Sequence, residues 1–535
     1  MFWRRSAFLV VLLATLFGVA SVLPTEAAKV HRVEVQLLAV NDFHGVLDSG
    51  VSSGRPVGGA AVLTSYLSQW RHDAMQDGAE SLIVGGGDLI GASPPVSGLL
   101  HDEPTIEALG LMGLKYSALG NHELNDGVTE LLRLQNGGCH ADGSCVTRSK
   151  FQYLAANVVY HDSGKPMLPP YAIEKIGGVR IGLIGISLRS TPTIVTPSGV
   201  AGIDFLDEAE TVNRYTAELK RRGVETIVVL LHGGGEGDLE GGPVTGDVVP
   251  IVEAMDDEID VVVTGHTETG FVGVVDGKLV TQAYSDGVAF ADIDLVIDRD
   301  TGDVVSKQTR IVRTWADTFP GSTPAPRVQE LVQAATNTVA PLIDRVVGAA
   351  AADITRVQTP AGESALGNLI ADAQRAKGGT QLAFLNPGSM RADLAAGEVT
   401  WGELFATQPF GNDVIRMTLT GVQIERLLEQ QWEGQPTPRV LQVSGISYTW
   451  SPSAPVGDRV ALTDVLIGGA PLDLAAIYTV TTNSFIAAGG DNFTVLLEGA
   501  GREVVGGTDL DAFVEYVEAL PQPFTARIEG RIDVR

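Results

Sequence analysis

The chain has 535 residues, 44% hydrophobic and 19% charged, which excludes a disordered polyelectrolyte and predicts two or three globular domains. Its 65 acidic and 37 basic residues give a formal net charge of −28, which argues against a nucleic-acid polymer or an anionic lipid surface as partner. A small anionic ligand is compatible with this charge, because metal ions and a few arginines can reverse its sign locally.

The first residues predict an export signal, which we place at residues 1–28. Two arginines near the start precede an apolar stretch from Ala7 to Leu23, and the small residues Ala27 and Ala28 follow. This order is typical of a signal peptide, although the stretch is long enough to leave an uncleaved membrane anchor as the alternative. We therefore expect an exported protein, whether periplasmic, cell-surface or secreted, with no membrane span beyond this segment.

Between residues 33 and 300, short β-branched apolar runs alternate with amphipathic segments such as residues 60–75 and 208–223. This alternation is typical of βαβ units and predicts a layered α/β domain over residues 29–320. Five of the runs predict buried strands: residues 33–40, 81–86, 179–186, 225–231 and 259–265.

Polar side chains follow several of these runs, at the points where the predicted strands end. They are Asp42 and His44 after the first run, Asp88 after the second, Asn121 and His122 after "YSAL", His232 after the fourth run, His266 after the fifth, and Glu268 two residues later. Because ligands of open α/β sheets bind beyond the carboxyl ends of strands, we expect these side chains to converge.

The donor types in this set indicate a metal centre. Imidazole, carboxylate and amide oxygen suit divalent ions such as Zn, Mn or Fe. Six or seven donors are too many for one catalytic ion with an open position, but they suit two ions that share a carboxylate. We expect Asp88 to be that bridge, since it follows three glycines that allow close backbone approach.

Cys139 and Cys145 are close enough in sequence to pair across a turn, and an exported chain favours a disulfide between them. A zinc site is the less favoured alternative, because His140 is the only other local ligand.

Proline, glycine and serine cluster at residues 316–328, as in an interdomain connection. We predict a linker helix at residues 321–345, interrupted near Pro341, and then an α+β domain over residues 346–535. In that second domain, Thr420 and Gln423 form the pattern of a capping box that opens a helix.

Two phenylalanines of the second domain lie in polar, glycine-rich loops. Phe410 lies in "QPFGN", and Phe485 comes shortly before the turn at Gly489–Gly490. Loops are usually exposed, so the hydrophobic core poorly explains these rings. Two such rings can hold a nucleobase between them.

Several motifs resemble those of the 5′-nucleotidase family, which joins a calcineurin-like metallophosphoesterase domain to a 5′-nucleotidase C-terminal domain. The resemblance extends over roughly residues 33 to 530. The family members that the chain resembles include the periplasmic UDP-sugar hydrolase type. The motifs are, in chain order, "NDFHG", "GGGDLIGAS", "GNHE", "LLHGGG" and "GHTE", followed by "NPGSMR" and "GGD".

The resemblance implies a role for each matching residue in the first domain. Asp42 and His44 would hold one ion, Asn121, His232 and His266 the other, and Asp88 would bridge them. His122 would stabilise the transition state or the leaving group rather than bind metal. The chain departs from the family at Glu268, where relatives usually have His or Gln, and at Asn125, where they often have an Asp that orients the catalytic histidine.

The resemblance also implies a nucleotide site in the second domain. Phe410 and Phe485 would clamp the base, Asp491 would accept the ribose hydroxyls, Asn386 would meet the base edge and Arg391 would bind the sugar–phosphate. A further basic residue would contact phosphate, for which Arg375 and Lys377 are both candidates.

The activity implied is hydrolysis of nucleoside 5′-monophosphates by in-line attack of a metal-bound water, with UDP-sugars and other nucleotides as further substrates. The alternative is a 2′,3′-cyclic-nucleotide 2′-phosphodiesterase with 3′-nucleotidase activity. Phenylalanine at both clamp positions favours the first, because relatives of the cyclic type tend to have tyrosine there. A second alternative is a non-catalytic surface binding protein on the same scaffold.

Overall fold

The computed structural model of the chain describes residues 31–435 and 437–535. The predicted signal peptide at residues 1–28 lies outside the described residues. Within the described part of the chain, no helix combines the length and the apolar character that a bilayer crossing requires.

The N-terminal domain contains two six-stranded mixed sheets, and all five strands predicted from the apolar runs are present in them. The first sheet has the order Val304–Arg313, Ala289–Asp298, Arg32–Val40, Glu80–Gly85, Leu114–Ala118, Gln152–Leu154. The second has the order Tyr171–Ile176, Val179–Ile186, Thr226–Leu231, Ile259–Val263, Lys278–Ala283, Gly270–Val275.

The two sheets pack face to face, and helices cover their outer faces. In the strand Arg32–Val40, Val35 and Leu37 face the core between the sheets, whereas Leu38 and Val40 face the helices, as the two-residue period of a strand requires. The first sheet is covered by Ala60–Gln76, Glu103–Met112 and Gly127–Asn136, and the second by Glu208–Arg221 and Val248–Glu253. The predicted layered α/β domain is confirmed.

The helix Pro326–Ile343 leads towards the second domain and packs on the first through Val328, Val332 and Val339. It continues through Pro341, so the predicted interruption is wrong. Pro341 lies in the last turn, where its missing N–H and the clash of its ring affect only the end of the helix.

The C-terminal domain is α+β, as predicted, and is built on a five-stranded sheet with hydrophobic clusters on its two faces. The sheet has the order Gln442–Ser444, Leu382–Leu385, Ile477–Asn483, Asp413–Thr420, Ala500–Thr508. Its longer helices are Ala365–Gly378, Trp401–Thr407, Gly421–Glu429 and Asp509–Ala519. The capping box of Thr420 and Gln423 opens Gly421–Glu429, as predicted.

A second, four-stranded sheet and four two-stranded ladders complete the described strands. The four-stranded sheet has the order Ala470–Pro471, Leu466–Ile467, Ile446–Trp450, Ile532–Val534. The ladders are Gly50–Ser52 with Arg55–Val57, Gly138–Cys139 with Cys145–Val146, Val158–Tyr160 with Ile203–Phe205, and Val346–Ala350 with Gly397–Thr400. The remaining short helices are Pro95–Gly98, His122–Leu124, Thr191–Thr193, Pro387–Ser389, Leu462–Asp464, Ser484–Ala487, Gly490–Asn492 and Thr494–Glu498.

Candidate active site

The predicted metal ligands lie on loops beyond the strand ends, and several of these loops have unusual backbone conformations. A positive φ is uncommon for residues other than glycine and tends to cluster at functional sites. Five of the predicted ligands have one: Asp42, His44, Asp88, His266 and Glu268. The fold therefore holds these five residues in backbone conformations that an unconstrained loop would avoid.

Asp88 lies between two groups of candidate ligands. One group contains His44, Asp88 and His122, and the other contains Asp88, His232 and His266. The Asp88 Oδ1 accepts a hydrogen bond of 2.8 Å from the His122 backbone N–H, and its Oδ2 lies 3.1 Å from His232 Nε2. This shared position fits the bridging role predicted for Asp88.

The second group is completed by Asn121. Its Oδ1 lies 3.1 Å from His232 Nε2 and 3.0 Å from His266 Nδ1. The other ring nitrogen of His232, Nδ1, lies 2.9 Å from the Gly86 carbonyl. Donation from Nδ1 to that carbonyl leaves Nε2 as the ligating nitrogen, the usual arrangement of a metal-bound histidine.

The first group leaves a buried nitrogen without a partner. His44 Nδ1 lies 3.0 Å from the Gly91 carbonyl, whereas Nε2 has no hydrogen bond among the described residues. That Nε2 lies 3.5 Å from a Glu268 oxygen and 4.0 Å from Asp42. A buried polar atom is normally satisfied, so this unpartnered nitrogen facing two carboxylates fits a divalent ion.

The charges at this site also favour a cation. Burial raises the pKa of Asp42 to about 7, and the nearby Asp88 contributes in the same direction. Burial lowers the pKa of His122 to about 3, with smaller contributions from His44 and Arg391. The His122 ring is therefore neutral. Burial alone would lower the pKa of His44 and of His232, but the neighbouring carboxylates outweigh it and raise these two values to about 9 and about 10. The carboxylates thus attract positive charge to the site even when only protons supply it.

Glu123 is a site residue that sequence reasoning missed. It is buried, and its carboxylate accepts backbone hydrogen bonds from Asp88 at 3.0 Å, Leu89 at 2.7 Å and Gly120 at 2.8 Å. It thereby joins the loop of Asp88 to the loop of His122. Its position in the motif "GNHE" can be read from the sequence, but the backbone groups that it accepts hydrogen bonds from depend on the tertiary fold.

His122 faces the C-terminal domain. The Asn125 side-chain nitrogen lies 3.1 Å from His122 Nδ1, within hydrogen-bond distance of the ring. The Phe410 ring stacks against His122 with a centroid distance of 6.0 Å. Residues of both domains line one cavity of about 310 Å³, including Asn121, His122, Asn125, His266, Asn386, Arg391, Phe410, Asn412, Arg439, Phe485 and Asp491.

The wall of this cavity in the C-terminal domain is built on a polar network around Asp491. The Asn386 side chain donates to Asp491 at 2.9 Å and accepts from Asn483 at 3.0 Å. Arg439 forms an ion pair with Asp491. Sequence reasoning missed Arg439, which lies in a loop before a strand and belongs to none of the recognised motifs.

Arg375 and Lys377 do not reach this cavity, so the prediction that one of them meets phosphate there is corrected. Arg375 lies in the last turn of Ala365–Gly378 and lines a separate surface groove with Asp372 and Ser444. Lys377 pairs with Glu515 at 2.8 Å. The two side chains lie on different sides of this helix, Arg375 near Ser444 and Lys377 near the helix Asp509–Ala519.

Cys139 and Cys145 form the predicted disulfide, and neither is a free thiol. The alternative of a zinc site with cysteine ligands is therefore wrong.

Comparisons with known proteins match a separate family model to each of the two domains. Residues 35–268 match the model of the calcineurin-like phosphoesterase family, and residues 346–498 match that of the 5′-nucleotidase C-terminal domain. Over 514 residues the chain is 34% identical to endonuclease YhcR of Bacillus subtilis (strain 168), an alignment that covers 95% of this chain and 41% of that protein.

Two further relatives are matched over most of their length. The cell wall protein Lmo0130 of Listeria monocytogenes is 33% identical over 557 residues, with 95% of this chain and 70% of that protein covered. The structure of a 5′-nucleotidase precursor from Thermus thermophilus matches with a TM-score of 0.78 at 28% identity, covering 94% of this chain and 99% of the other. With its motifs, its two domains and these relatives in agreement, the chain belongs to the 5′-nucleotidase family.

Proposed function

We propose that the protein is an exported 5′-nucleotidase, a phosphohydrolase that removes phosphate from nucleoside 5′-monophosphates with two divalent ions, Zn²⁺, Mn²⁺ or similar. The observation that carries this proposal is that described residues of both domains line one and the same cavity. One wall holds His122 and candidate metal ligands, and the other holds two phenylalanines and a polar network. A phosphate ester attached to an aromatic base matches both walls.

The proposed metal ligands are the residues grouped around Asp88. Asp42, His44 and Glu268 hold one ion, Asn121, His232 and His266 hold the other, and Asp88 is shared. When bound, the ions provide a water of lowered pKa and neutralise charge on the phosphoryl group.

His122 acts on the phosphoryl group from the open side of the metal centre. Its neutral ring donates a hydrogen bond to the phosphoryl or leaving-group oxygen as negative charge develops there. Asn125, next to Nδ1, fixes the ring orientation. Glu123 fixes the loop that carries Asp88 relative to the loop that carries His122, because it accepts backbone hydrogen bonds from both loops.

The C-terminal wall binds the nucleoside. Phe410 and Phe485 stack on the base, Asn386 meets its edge and Asp491 accepts the ribose hydroxyls. Arg391 contacts the sugar–phosphate. This binding occurs away from the reacting phosphorus and can therefore position the phosphate at the metals.

Export is supported by the first residues of the sequence and by the cell wall relative in Listeria.

The test of function is phosphate release by the metal-loaded chain from 5′-AMP, 3′-AMP and 2′,3′-cyclic AMP in parallel, with UDP-glucose followed through its own products. We expect the highest turnover on 5′-AMP and its collapse in His122→Ala. Preference for the cyclic or 3′ substrates would replace the proposal with the alternative enzyme. Two bound ions with no turnover on any of them would favour a binding protein.

A further inference from the structure

A cluster of side chains that could hold a metal ion lies outside the cavity, on the surface of the N-terminal domain. It consists of His101, His140 and Asp142. His101 Nε2 lies 2.9 Å from Asp142 Oδ2, and His140 Nδ1 lies 3.2 Å from Asp142 Oδ1. One ligating atom of each residue lies within 4.8 Å of those of the other two.

The cluster joins two segments that are distant in sequence. His101 lies in the turn before the helix Glu103–Met112, whereas His140 and Asp142 lie in the loop that the Cys139–Cys145 disulfide closes. The imidazole rings stack with centroids 3.7 Å apart and an interplanar angle of 27°. The fold thus brings both rings to one carboxylate.

The loop that carries two of the three donors is held in place independently. The Ser144 backbone N–H donates to Asp142 Oδ1 at 2.9 Å, and the Ser144 hydroxyl donates to Glu103 at 3.2 Å. Arg133 donates to both Glu103 and the Gly138 carbonyl, at 2.6 and 3.2 Å. Because the disulfide and these contacts fix the loop, little ordering is needed for an ion to bind.

The donor set selects a class of metal. Two imidazole nitrogens and one carboxylate oxygen, with water in the remaining position, are a common three-residue ligand set for zinc. Sites rich in imidazole nitrogen favour Cu²⁺, Ni²⁺ and Zn²⁺ over Mn²⁺. Mg²⁺ prefers sites made of carboxylates and water, so it does not match this set. The cysteines take no part, because they are oxidised.

We propose that His101, His140 and Asp142 form a third metal site that binds Zn²⁺ or a similar late transition-metal ion, separate from the pair at Asp88. A bound ion cross-links the disulfide loop to the turn before Glu103–Met112. The site does not depend on the proposed nucleotidase activity.

The test is Zn²⁺ binding by the full oxidised chain, measured by equilibrium dialysis at about 10 µM free Zn²⁺, a concentration that fills a site of micromolar Kd. The His101→Ala/His140→Ala variant should bind one equivalent less than the parent. His140→Gln, a milder change at a partly exposed position, should lower the Zn²⁺ affinity of that site at least tenfold. Unchanged melting temperatures of the metal-free proteins would verify folding.

A matched control is His161→Ala. His161 lies 2.9 Å from Asp204, as His101 does from Asp142, but the described residues offer it no second imidazole. This variant should retain the full Zn²⁺ stoichiometry. Equal stoichiometry in the parent and the double histidine variant would overturn the proposal, and so would an equal loss in His161→Ala.

Discussion

Arg391 of the C-terminal domain donates a hydrogen bond of 3.1 Å to Glu268 of the N-terminal domain. The same Glu268 oxygen lies 3.5 Å from His44 Nε2. The carboxylate of Glu268 thus lies between His44, a proposed metal ligand, and Arg391, a proposed phosphate-binding residue. Burial alone would raise the pKa of Glu268, but His44 and Arg391 hold it at about 2. Glu268 is therefore charged and links the candidate metal site of the N-terminal domain to the C-terminal domain.

Replacing Glu268 with Gln should weaken metal binding. The amide keeps the shape of the side chain but removes a negative charge beside His44, so metal affinity should fall about 10- to 100-fold, as for other supporting residues of metal sites. Titration of the metal-free variant with Mn²⁺ measures this. Glu498→Gln is the matched control, since Glu498 also pairs with an arginine, Arg426, at 2.8 Å but lies on the surface. Unchanged Mn²⁺ affinity in Glu268→Gln would mean that the negative charge of Glu268 does not contribute to metal binding.

Asn125 should act on kcat rather than on KM. Loss of its contact with His122 Nδ1 frees the ring to rotate, and misplacement of a catalytic group costs up to about 100-fold. We expect Asn125→Ala to lower kcat for 5′-AMP about 10- to 100-fold with little change in KM. Asn125→Asp should restore much of the loss, because it can still orient the ring. Asn136→Ala, at an exposed helix end, should have no effect. A rise in KM alone would assign Asn125 to substrate binding instead.

Phe410 should contribute to binding of the base. Stacking of a base on an aromatic side chain contributes about 1–3 kcal/mol, so Phe410→Ala should raise KM for 5′-AMP about 10- to 100-fold. Hydrolysis of p-nitrophenyl phosphate, which lacks a nucleobase, is the control and should change much less. Because Phe410 also stacks on His122, an equal loss on both substrates would show that it supports the catalytic ring instead.

Asp509 should make stability depend on pH. It is buried at the start of Asp509–Ala519, and burial raises its pKa to about 7 although Asn412 donates to it at 3.1 Å. Between about pH 4 and 7 the unfolded chain releases this proton and the folded chain retains it. The contribution of Asp509 to the free energy of unfolding therefore falls with rising pH, by about 4 kcal/mol in total.

Urea unfolding of the parent and Asp509→Asn at pH 5 and pH 8 tests this dependence. The parent should lose stability relative to the variant as the pH rises. Asp300→Asn, at an exposed turn, should show no such trend. A constant difference between the parent and Asp509→Asn at both pH values would mean that the Asp509 pKa is not raised.

The sequence was most informative where a local pattern reflects the fold. Apolar runs of four to eight residues predicted the central strands, and polar residues directly after them predicted the convergence of Asp42, Asp88 and His266. These inferences succeeded because strand ends in a layered α/β sheet are neighbours wherever the strands lie in the chain. The disulfide followed from the short separation of its cysteines.

The residues that were missed or misplaced depend on long-range packing. Glu123 is defined by three backbone groups from two loops, and Arg439 by an aspartate 52 residues away. Arg375 was misplaced because the face of a helix that meets the cavity depends on how the helix packs. Pro341 lies close enough to the helix end to be tolerated, and local propensity alone does not show this.

The central claim is that two ions held around Asp88 are needed to hydrolyse a 5′-nucleotide. Its most direct test is restoration of 5′-AMP hydrolysis when Mn²⁺ is added back to the metal-free chain, in parallel with Asp88→Asn. We predict no turnover without metal, full turnover at two equivalents of tightly bound Mn²⁺, and no restoration in Asp88→Asn. Turnover by the metal-free chain, or full restoration in Asp88→Asn, would contradict the claim.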